Sequence, residues 1–336
     1  MIRILDKNKV KELMDIAMAV EAVETAYKEK ATGAGQIWPM VFHEFDPGHA
    51  DLDIKSGNLD GEQIFGLKLV SWYGDNPEQG HPALYGTSMI FDLATGQPKA
   101  ILNAGPMTDY RTGAAGAVGA KYLARPDAKQ LLMVGCGALA PYLLAAALYV
   151  MPELERVCLV NPHHPERAKE RLAAIAEKTD LLLQEVGVTR TAELTASEAI
   201  EEETKKSDII FTATPSYEPM IQPEWVKPGT HISCVGADIS GKQEIASGIF
   251  AKAKVFGDDE GQCISVGECE KPYKEGIMKG LDAELGAIIA GEKQGRTNPD
   301  DITIFDSTGI ALQDLASAAK VIAKAEKENI GVCIEL

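Results

Sequence analysis

A chain of 336 residues, 45% hydrophobic and 25% charged, has the length of two ordinary domains and the composition of a globular protein that buries its own core. Its 33 Lys and Arg stand against 50 Asp and Glu, a formal net charge of −17, which excludes the basic footprint that a nucleic-acid binder needs. The most apolar run, Leu143 to Met151, is far shorter than a membrane span, and the N-terminus lacks the layout of a signal peptide. Six scattered cysteines without a CxxC pair read as buried, reduced thiols, which points to the cytoplasm; six histidines without HExxH spacing give no protein metal site.

In chain order, Val10, Leu13, Met14, Ile16, Ala17, Val20, Val23 and Ala26 recur at helical spacing and predict one helix over residues 6–32. From about 36 to 105 the texture is antiparallel α+β: short β-rich runs such as Ile64–Trp72 and Tyr85–Phe91, separated by turns at Asn76-Pro77, Gly80 and 94–98. Thr108–Ala124 predicts a helix rich in Gly and Ala that can approach another backbone closely. Beyond Arg125-Pro126-Asp127, apolar strands at Gln130–Val134, Val157–Val160, Asp208–Thr212, Thr230–Val235, Lys254–Phe256 and Ile302–Phe305 alternate with helical segments, 138–150 and Arg167–Lys178 among them. That alternation predicts a parallel, doubly wound sheet and an α/β fold class. The last helix, Gly309–Asn329, follows a strand and a Gly turn, and is expected to leave the second domain and pack on the first.

The first of these strands runs into Gly135-Cys-Gly137-Ala138-Leu139-Ala140, a strand, tight turn and helix in the GxGxxA pattern of a dinucleotide fingerprint. Gly135 permits the turn, Gly137 lets the backbone approach a pyrophosphate, and Ala140 lets the helix pack on the strand. The pyrophosphate would sit on the helix N-terminus, where free N–H groups and the dipole favour an anion. The alternative is a tight turn without a ligand. NAD binders usually carry Asp or Glu at the end of the second strand. This chain has Asn161-Pro-His163-His164-Pro-Glu-Arg167. Asn161 can bond a ribose hydroxyl without repelling a 2′-phosphate, and His163, His164 and Arg167 offer donors. The expected cofactor is therefore NADP or NAD, with a lean to NADP; a solvated loop is the alternative.

Several motifs then coincide. Gly66-Leu-Lys68, Arg111-Thr-Gly-Ala-Ala115, Val134-Gly-Cys-Gly137, Gly229-Thr-His231, Val235-Gly-Ala-Asp238 with Gly241-Lys242-Gln-Glu244, and Thr303-Ile-Phe-Asp306-Ser307-Thr308-Gly309 occur in order along nearly the whole chain. Together they resemble the ornithine cyclodeaminase/mu-crystallin family, and most closely its amino-acid dehydrogenase and imino-acid reductase members, such as alanine dehydrogenase and iminosuccinate reductase. The resemblance implies a homodimer with the active site in a cleft between two domains. One would be an α+β substrate-binding and dimerisation domain, residues 1–113 with 314–336, and the other a Rossmann dinucleotide-binding domain, residues 114–313.

The resemblance also implies the chemistry: hydride exchange at an amino-acid α-carbon. Lys68 and Arg111 would hold the substrate carboxylate, a task suited to a guanidinium, and Lys68 and Asp238 would be catalytic, with Asp238 the acid/base on the substrate nitrogen. Thr308 and Lys55 would meet the substrate. Arg111, Thr112, Thr214, Val235, Gly236, Lys242 and Ser307 would join Gly135, Gly137, Ala138, Leu139, Asn161, His163 and Arg167 around the cofactor. On pattern alone each of the main residues has a plainer reading. Lys68 could be a solvated strand residue, Arg111 a surface arginine at a helix terminus, Asp238 a helix N-cap, and Asp306 the turn residue that caps the last helix.

The chain departs from the cyclodeaminases thirteen residues before Lys68. Where they carry a Glu for the distal amino group, it has Lys55, within Ile54-Lys-Ser-Gly57. A cation there repels a substrate ammonium and attracts a second carboxylate. Trp38-Pro39-Met40 and Ala83 also depart from the positions where many members carry a basic residue and a Thr. The expected function is an NAD(P)-dependent reductase or dehydrogenase of a small amino or imino acid, possible dicarboxylic substrates included. Its rivals are a cyclodeaminase that recycles bound NAD and a non-enzymatic binding protein like mu-crystallin.

Overall fold

The structure is a computed structural model that describes residues 1–335. In chain order the elements are β1 (Ile2–Leu5), α1 (Lys7–Leu13), α2 (Ile16–Ala31), β2 (Gly35–Ile37), β3 (Val41–Asp46), β4 (Ala50–Leu59), β5 (Ile64–Tyr73), β6 (Leu84–Asp92), β7 (Pro98–Asn103) and α3 (Ala104–Leu123). Then follow β8 (Gln130–Val134), α4 (Ala140–Val150), β9 (Arg156–Val160), α5 (Pro165–Glu185), β10 (Glu193–Ala196), α6 (Ile200–Lys206), β11 (Ile209–Thr212) and β12 (His231–Cys234). The chain closes with α7 (Ser247–Phe250), β13 (Ala253–Gly257), α8 (Glu260–Val266), α9 (Glu270–Lys274), β14 (Ala283–Glu284), α10 (Leu285–Ile289), β15 (Ile302–Asp306), α11 (Ala311–Glu328) and β16 (Val332–Ile334). There are two compact units. One is Met1–Arg111 with the chain from Ile310 onward, and the other is Thr112–Gly309.

The first unit is a mixed sheet in the order β16-β1-β7-β6-β5-β4-β2, with β3 also paired to β4. Its central strands are antiparallel, and their register sets Lys55 opposite Lys68, Lys68 opposite Ser88, and Gly57 opposite Gly66. Helix α11 covers this face. A Cβ on Gly66 would lie 3.1 Å from Leu315 Cδ2 and 2.4 Å from the Met89 carbonyl oxygen, so the helix seats where the sheet has no side chains. α11 also packs on α2, and Gln313 donates to the Tyr27 hydroxyl at 2.9 Å.

The second unit is an all-parallel sheet, β10-β9-β8-β11-β12-β15-β13-β14. Its first five strands follow the doubly wound order 3-2-1-4-5, so the strand order reverses at β8, between β9 and β11. Buried residues of all the central strands, such as Leu132, Cys158, Ile210, Ile232, Val255 and Ile304, form its core. Such continuous apolar strands belong to a sheet covered on both faces. Among the described residues no helix is long and apolar enough to cross a membrane.

Four local expectations change. The single helix over 6–32 is two helices, because the Asp15 side chain accepts the Met18 N–H at 2.8 Å and starts α2 afresh after an extended Met14. Helix α3 begins at Ala104, where Asn103 Oδ1 accepts the Gly105 N–H, so Arg111 stands two turns inside the helix and not at its start. Helix α5 continues to Glu185, because Leu182 and Leu183 extend its buried face. Asp306 does not cap α11. Gln313 Oε1 accepts the Ile310 N–H there, and Asp306 Oδ2 takes the Cys269 N–H.

Candidate active site

In the first unit, β5 brings Lys68 inward under α11, where its side chain is 3% exposed. A buried ammonium needs an anion, and Asp314, in the first turn of α11, supplies it. Lys68 Nζ donates to Asp314 Oδ1 at 2.9 Å and lies 2.9 Å from Oδ2. Arg111 Nε comes within 3.4 Å of the same Oδ1, without hydrogen-bond geometry, and Nε is buried without a hydrogen-bond partner. Lys55 stands beside Lys68 across the strand pair, and Asp53 lies two residues before Lys55 on the same face. Among the described residues Asp53 Oδ1 and Ser88 Oγ also have no hydrogen-bond partner, and both are buried. The structure thus collects Lys55, Lys68 and Arg111, three of the residues expected to meet substrate, around two carboxylates.

The electrostatics follow from burial. Desolvation, with the Arg111 and Lys55 charges, brings Lys68 down to about 8 against the pull of Asp314. Desolvation works on Asp314 in the other direction, but Lys68 and Arg111 outweigh it and hold the carboxyl below its ordinary range. Asp53 is raised by burial, despite Lys55 and Lys68.

In the second unit, the turn after β8 has the geometry of an anion cradle. Gly135 has φ +112°, and a Cβ there would lie 2.6 Å from the Ala213 carbonyl oxygen. A Cβ on Gly137 would meet nothing within 4 Å. The N–H groups of Gly137, Ala138 and Leu139 donate to no acceptor among the described residues, and no side chain caps the 11-residue helix α4 that follows. Open donors at an uncapped helix N-terminus, on the strand where the sheet order reverses, fit a dinucleotide pyrophosphate. Asn161 follows β9 and accepts the His164 N–H through Oδ1 at 3.1 Å, and His163 Nε2 lies 3.2 Å from Ser216 Oγ. Arg167 is exposed near the start of α5.

The remaining expected residues cluster at the C-terminal ends of the same sheet. Asp238 is not a strand terminus, because β12 ends at Cys234; it lies in the turn beyond, half-exposed, with Lys242 Nζ on its Oδ1 at 2.6 Å. No helix starts there for it to cap. Thr214 is buried, with Oγ1 and N–H both donated to Glu244 Oε1, at 2.8 and 2.7 Å. The Gly236 N–H and the Thr212 hydroxyl go to Glu244 Oε2, and the Val235 N–H continues the ladder to Thr212. Ser307 and Thr308 donate their hydroxyls to Asp258, which also takes the Gly309 N–H. These three hydroxyl side chains are thus committed to shaping the strand-end loops. Thr112 is buried within α3.

Sequence reasoning missed Asp314, Asp53, Glu244 and Asp258. Asp314 had one signal, a carboxylate within the apolar run Ala311-Leu-Gln-Asp-Leu-Ala316, yet its partner lies 246 residues away. Glu244 stood in the Gly241-Lys242-Gln-Glu244 motif without a role attached, and Asp258 had no signal, since its donors Ser307, Thr308 and Gly309 lie 49 to 51 residues further on. Among the described residues no group of three or more His, Cys, Asp or Glu could hold a metal ion.

Comparisons with known proteins agree with this architecture. The alanine dehydrogenase of Archaeoglobus fulgidus is 36% identical over 330 residues, 98% of this chain and 96% of that protein. The iminosuccinate reductase of Paracoccus denitrificans is 32% identical over 334 residues, 99% of each. Its crystal structure in complex with NAD+ matches at a TM-score of 0.90 and 30% identity, over 100% of this chain and 99% of that one. An archaeal alanine dehydrogenase dimer with bound NAD matches at 0.87 and 35% identity, over 99% of each chain. The sequence pattern of the ornithine cyclodeaminase/mu-crystallin family spans residues 2–329, and the chain belongs to that family.

Proposed function

We propose that this protein is a nicotinamide-dependent oxidoreductase of a small amino or imino acid, exchanging hydride at the α-carbon. The observation that carries this reading is the buried Lys68–Arg111 pair, with an Arg111 Nε that lacks an acceptor. A substrate carboxylate supplies that acceptor. Lys68 and Arg111 grip it and so fix the α-carbon's orientation, a large part of the rate in such chemistry. Asp238 moves a proton at the substrate nitrogen. The nicotinamide, when bound, supplies or takes the hydride. Gly135, Gly137, Ala138 and Leu139 hold its pyrophosphate, and Thr214, Val235, Gly236, Lys242 and Ser307 form the surrounding loops.

The substrate carries a second anionic group, read by Lys55. That cation argues against a diamine such as ornithine, and a relative of 99% mutual coverage bears the name iminosuccinate reductase. The cofactor is NAD. His163, one of the donors that favoured NADP, lies 3.2 Å from Ser216 Oγ, Asn161 Oδ1 accepts the His164 N–H, and two structural neighbours hold NAD. The working form is a homodimer. β3 pairs on one side only among the described residues, and Trp38, Met40, Val41, Phe42 and Phe45, on it or just before it, expose large apolar side chains. Sedimentation as a monomer would contradict this. Five free, buried cysteines suit a reducing compartment, and we place the protein in the cytoplasm.

The test offers 2-oxo acids with ammonia or methylamine to the enzyme and follows the loss of NADH and of NADPH. Net consumption, faster with NADH and abolished in Asp238→Asn, is expected. Proline and ammonia from ornithine without net redox change would make the protein a cyclodeaminase instead.

A further inference from the structure

We propose that Asp314 is a positioning residue, whose carboxylate fixes the Lys68 ammonium and the Arg111 guanidinium in the array that receives the substrate carboxylate. The inference rests on the carboxylate-gripping role proposed above for those two cations.

Three positive side chains converge here, and elements on every side face Lys68. β4 contributes Lys55, its cross-strand neighbour, and Asp53, whose Oδ1 has no partner; β6 contributes the neutral Ser88; α3 contributes Arg111; α11 contributes Asp314. Among the described residues only Asp314 lies within ion-pair distance of Lys68, at 2.9 Å from both oxygens. It is itself 2% exposed, so water cannot replace it. Its placement does not depend on the ion pair. The first turn of α11 is pinned by Gln313, bonded to both the Ile310 N–H and the Tyr27 hydroxyl, and by Leu312 and Leu315 seated over Gly57 and Gly66. The carboxylate is therefore a fixed post to which two long, flexible cations are tied. Oδ1 takes the Lys68 hydrogen bond and holds Arg111 Nε only at ion-pair distance, so among the described residues Nε keeps an unused donor.

The electrostatic consequence has a definite sign. Burial, Arg111 and Lys55 all pull Lys68 down, to about 8, and Asp314 is the group that opposes them. Without it, Lys68 loses its proton at lower pH, and the site loses a cation within the working range of the enzyme.

The experiment compares wild type, Asp314→Asn and Asp314→Glu in the 2-oxo acid and ammonia assay from about pH 6 to about pH 9. Calorimetric titration with the same 2-oxo acid reads its binding without turnover. Wild type is expected to lose kcat/KM, and affinity, above about pH 8. Asp314→Asn should move that alkaline limb down by about one pH unit or more and raise KM for the 2-oxo acid roughly tenfold, with KM for NADH within about twofold. A purely structural role would lower the melting temperature and the active fraction but leave the limb in place. A folded Asp314→Asn with the wild-type limb and KM overturns the proposal. Should that variant not fold, Asp314→Glu decides: the charge stays, so the limb stays, but the displaced post should raise KM at least about threefold. A wild-type KM in folded Asp314→Glu overturns it equally. A wild type that turns over no imino or 2-oxo acid refutes the proposed function instead, and the calorimetry keeps the two failures apart.

Discussion

Lys55 and Lys68 face each other across an antiparallel pair, a placement that like charges disfavour unless anions intervene. Asp314 neutralises the buried member, and Lys55 remains half-buried at the edge of the cluster. In the proposed function the two lysines would divide the work, Lys68 for the carboxylate common to such substrates and Lys55 for what distinguishes them. Replacing Lys55 with Ala should lower kcat/KM for a four-carbon 2-oxo diacid with ammonia about tenfold, while pyruvate with ammonia changes by less than about threefold. Equal losses on both substrates would remove Lys55 from selectivity. At this scale the sequence showed Lys68 and Arg111 only through the motifs around them. Periodicity alone favoured a solvated Lys68, because nothing local to β5 reveals a carboxylate 246 residues further on.

Helix α11 reaches the site because two strands lack side chains where it lands. At Gly66 an added methyl would meet the Met89 carbonyl oxygen of the neighbouring strand at 2.4 Å, and backbone in a sheet cannot retreat. Gly66→Ala should therefore cost about 1–3 kcal/mol, read as a lower melting temperature, and should raise KM for the carboxylate substrate as Asp314 is lifted from Lys68. An unchanged melting temperature would mean that the sheet absorbs the methyl. Most strands were legible from apolar runs, with Gln130–Val134 found to the residue. The misplaced helix starts share one cause. Asp15 and Asn103 each accept a backbone N–H two or three residues on, and such capping overrides hydrophobic periodicity.

The acidity of the whole molecule is not confined to its surface. Asp258, Asp306, Glu244 and Glu268 are all buried in the second unit. Burial, reinforced by the Asp258 carboxylate, pushes Asp306 up to about 7, and among the described residues its Oδ1 has no hydrogen-bond partner. A carboxyl whose folded value exceeds its unfolded one holds a proton in the fold that the unfolded chain has lost. Its contribution is whole below the unfolded value of 3.8 and is lost as pH rises through about 7. Stability should therefore fall between about pH 4 and about pH 7, by roughly 1.4 kcal/mol per unit at most from this group. Asp306→Asn should flatten that slope in melts across the range. Some slope should remain, because Asp258, Glu244 and Glu268 are raised in the same sense. Parallel profiles for the two proteins would exclude Asp306 as the source.

The sequence by itself determined the two textures of the chain, the parallel sheet, the glycine turn at its reversal point and the family. Each of these is written in residues close together: apolar runs, turn formers and short motifs act through local sterics and spacing. Only the tertiary structure decided which charges meet. Asp314 joins Lys68 and Arg111, Glu244 gathers donors from the ends of β11 and β12, and Asp258 those of the turn after β15. An ion pair depends on distance in space and on exclusion of water, and neither is set by separation along the chain.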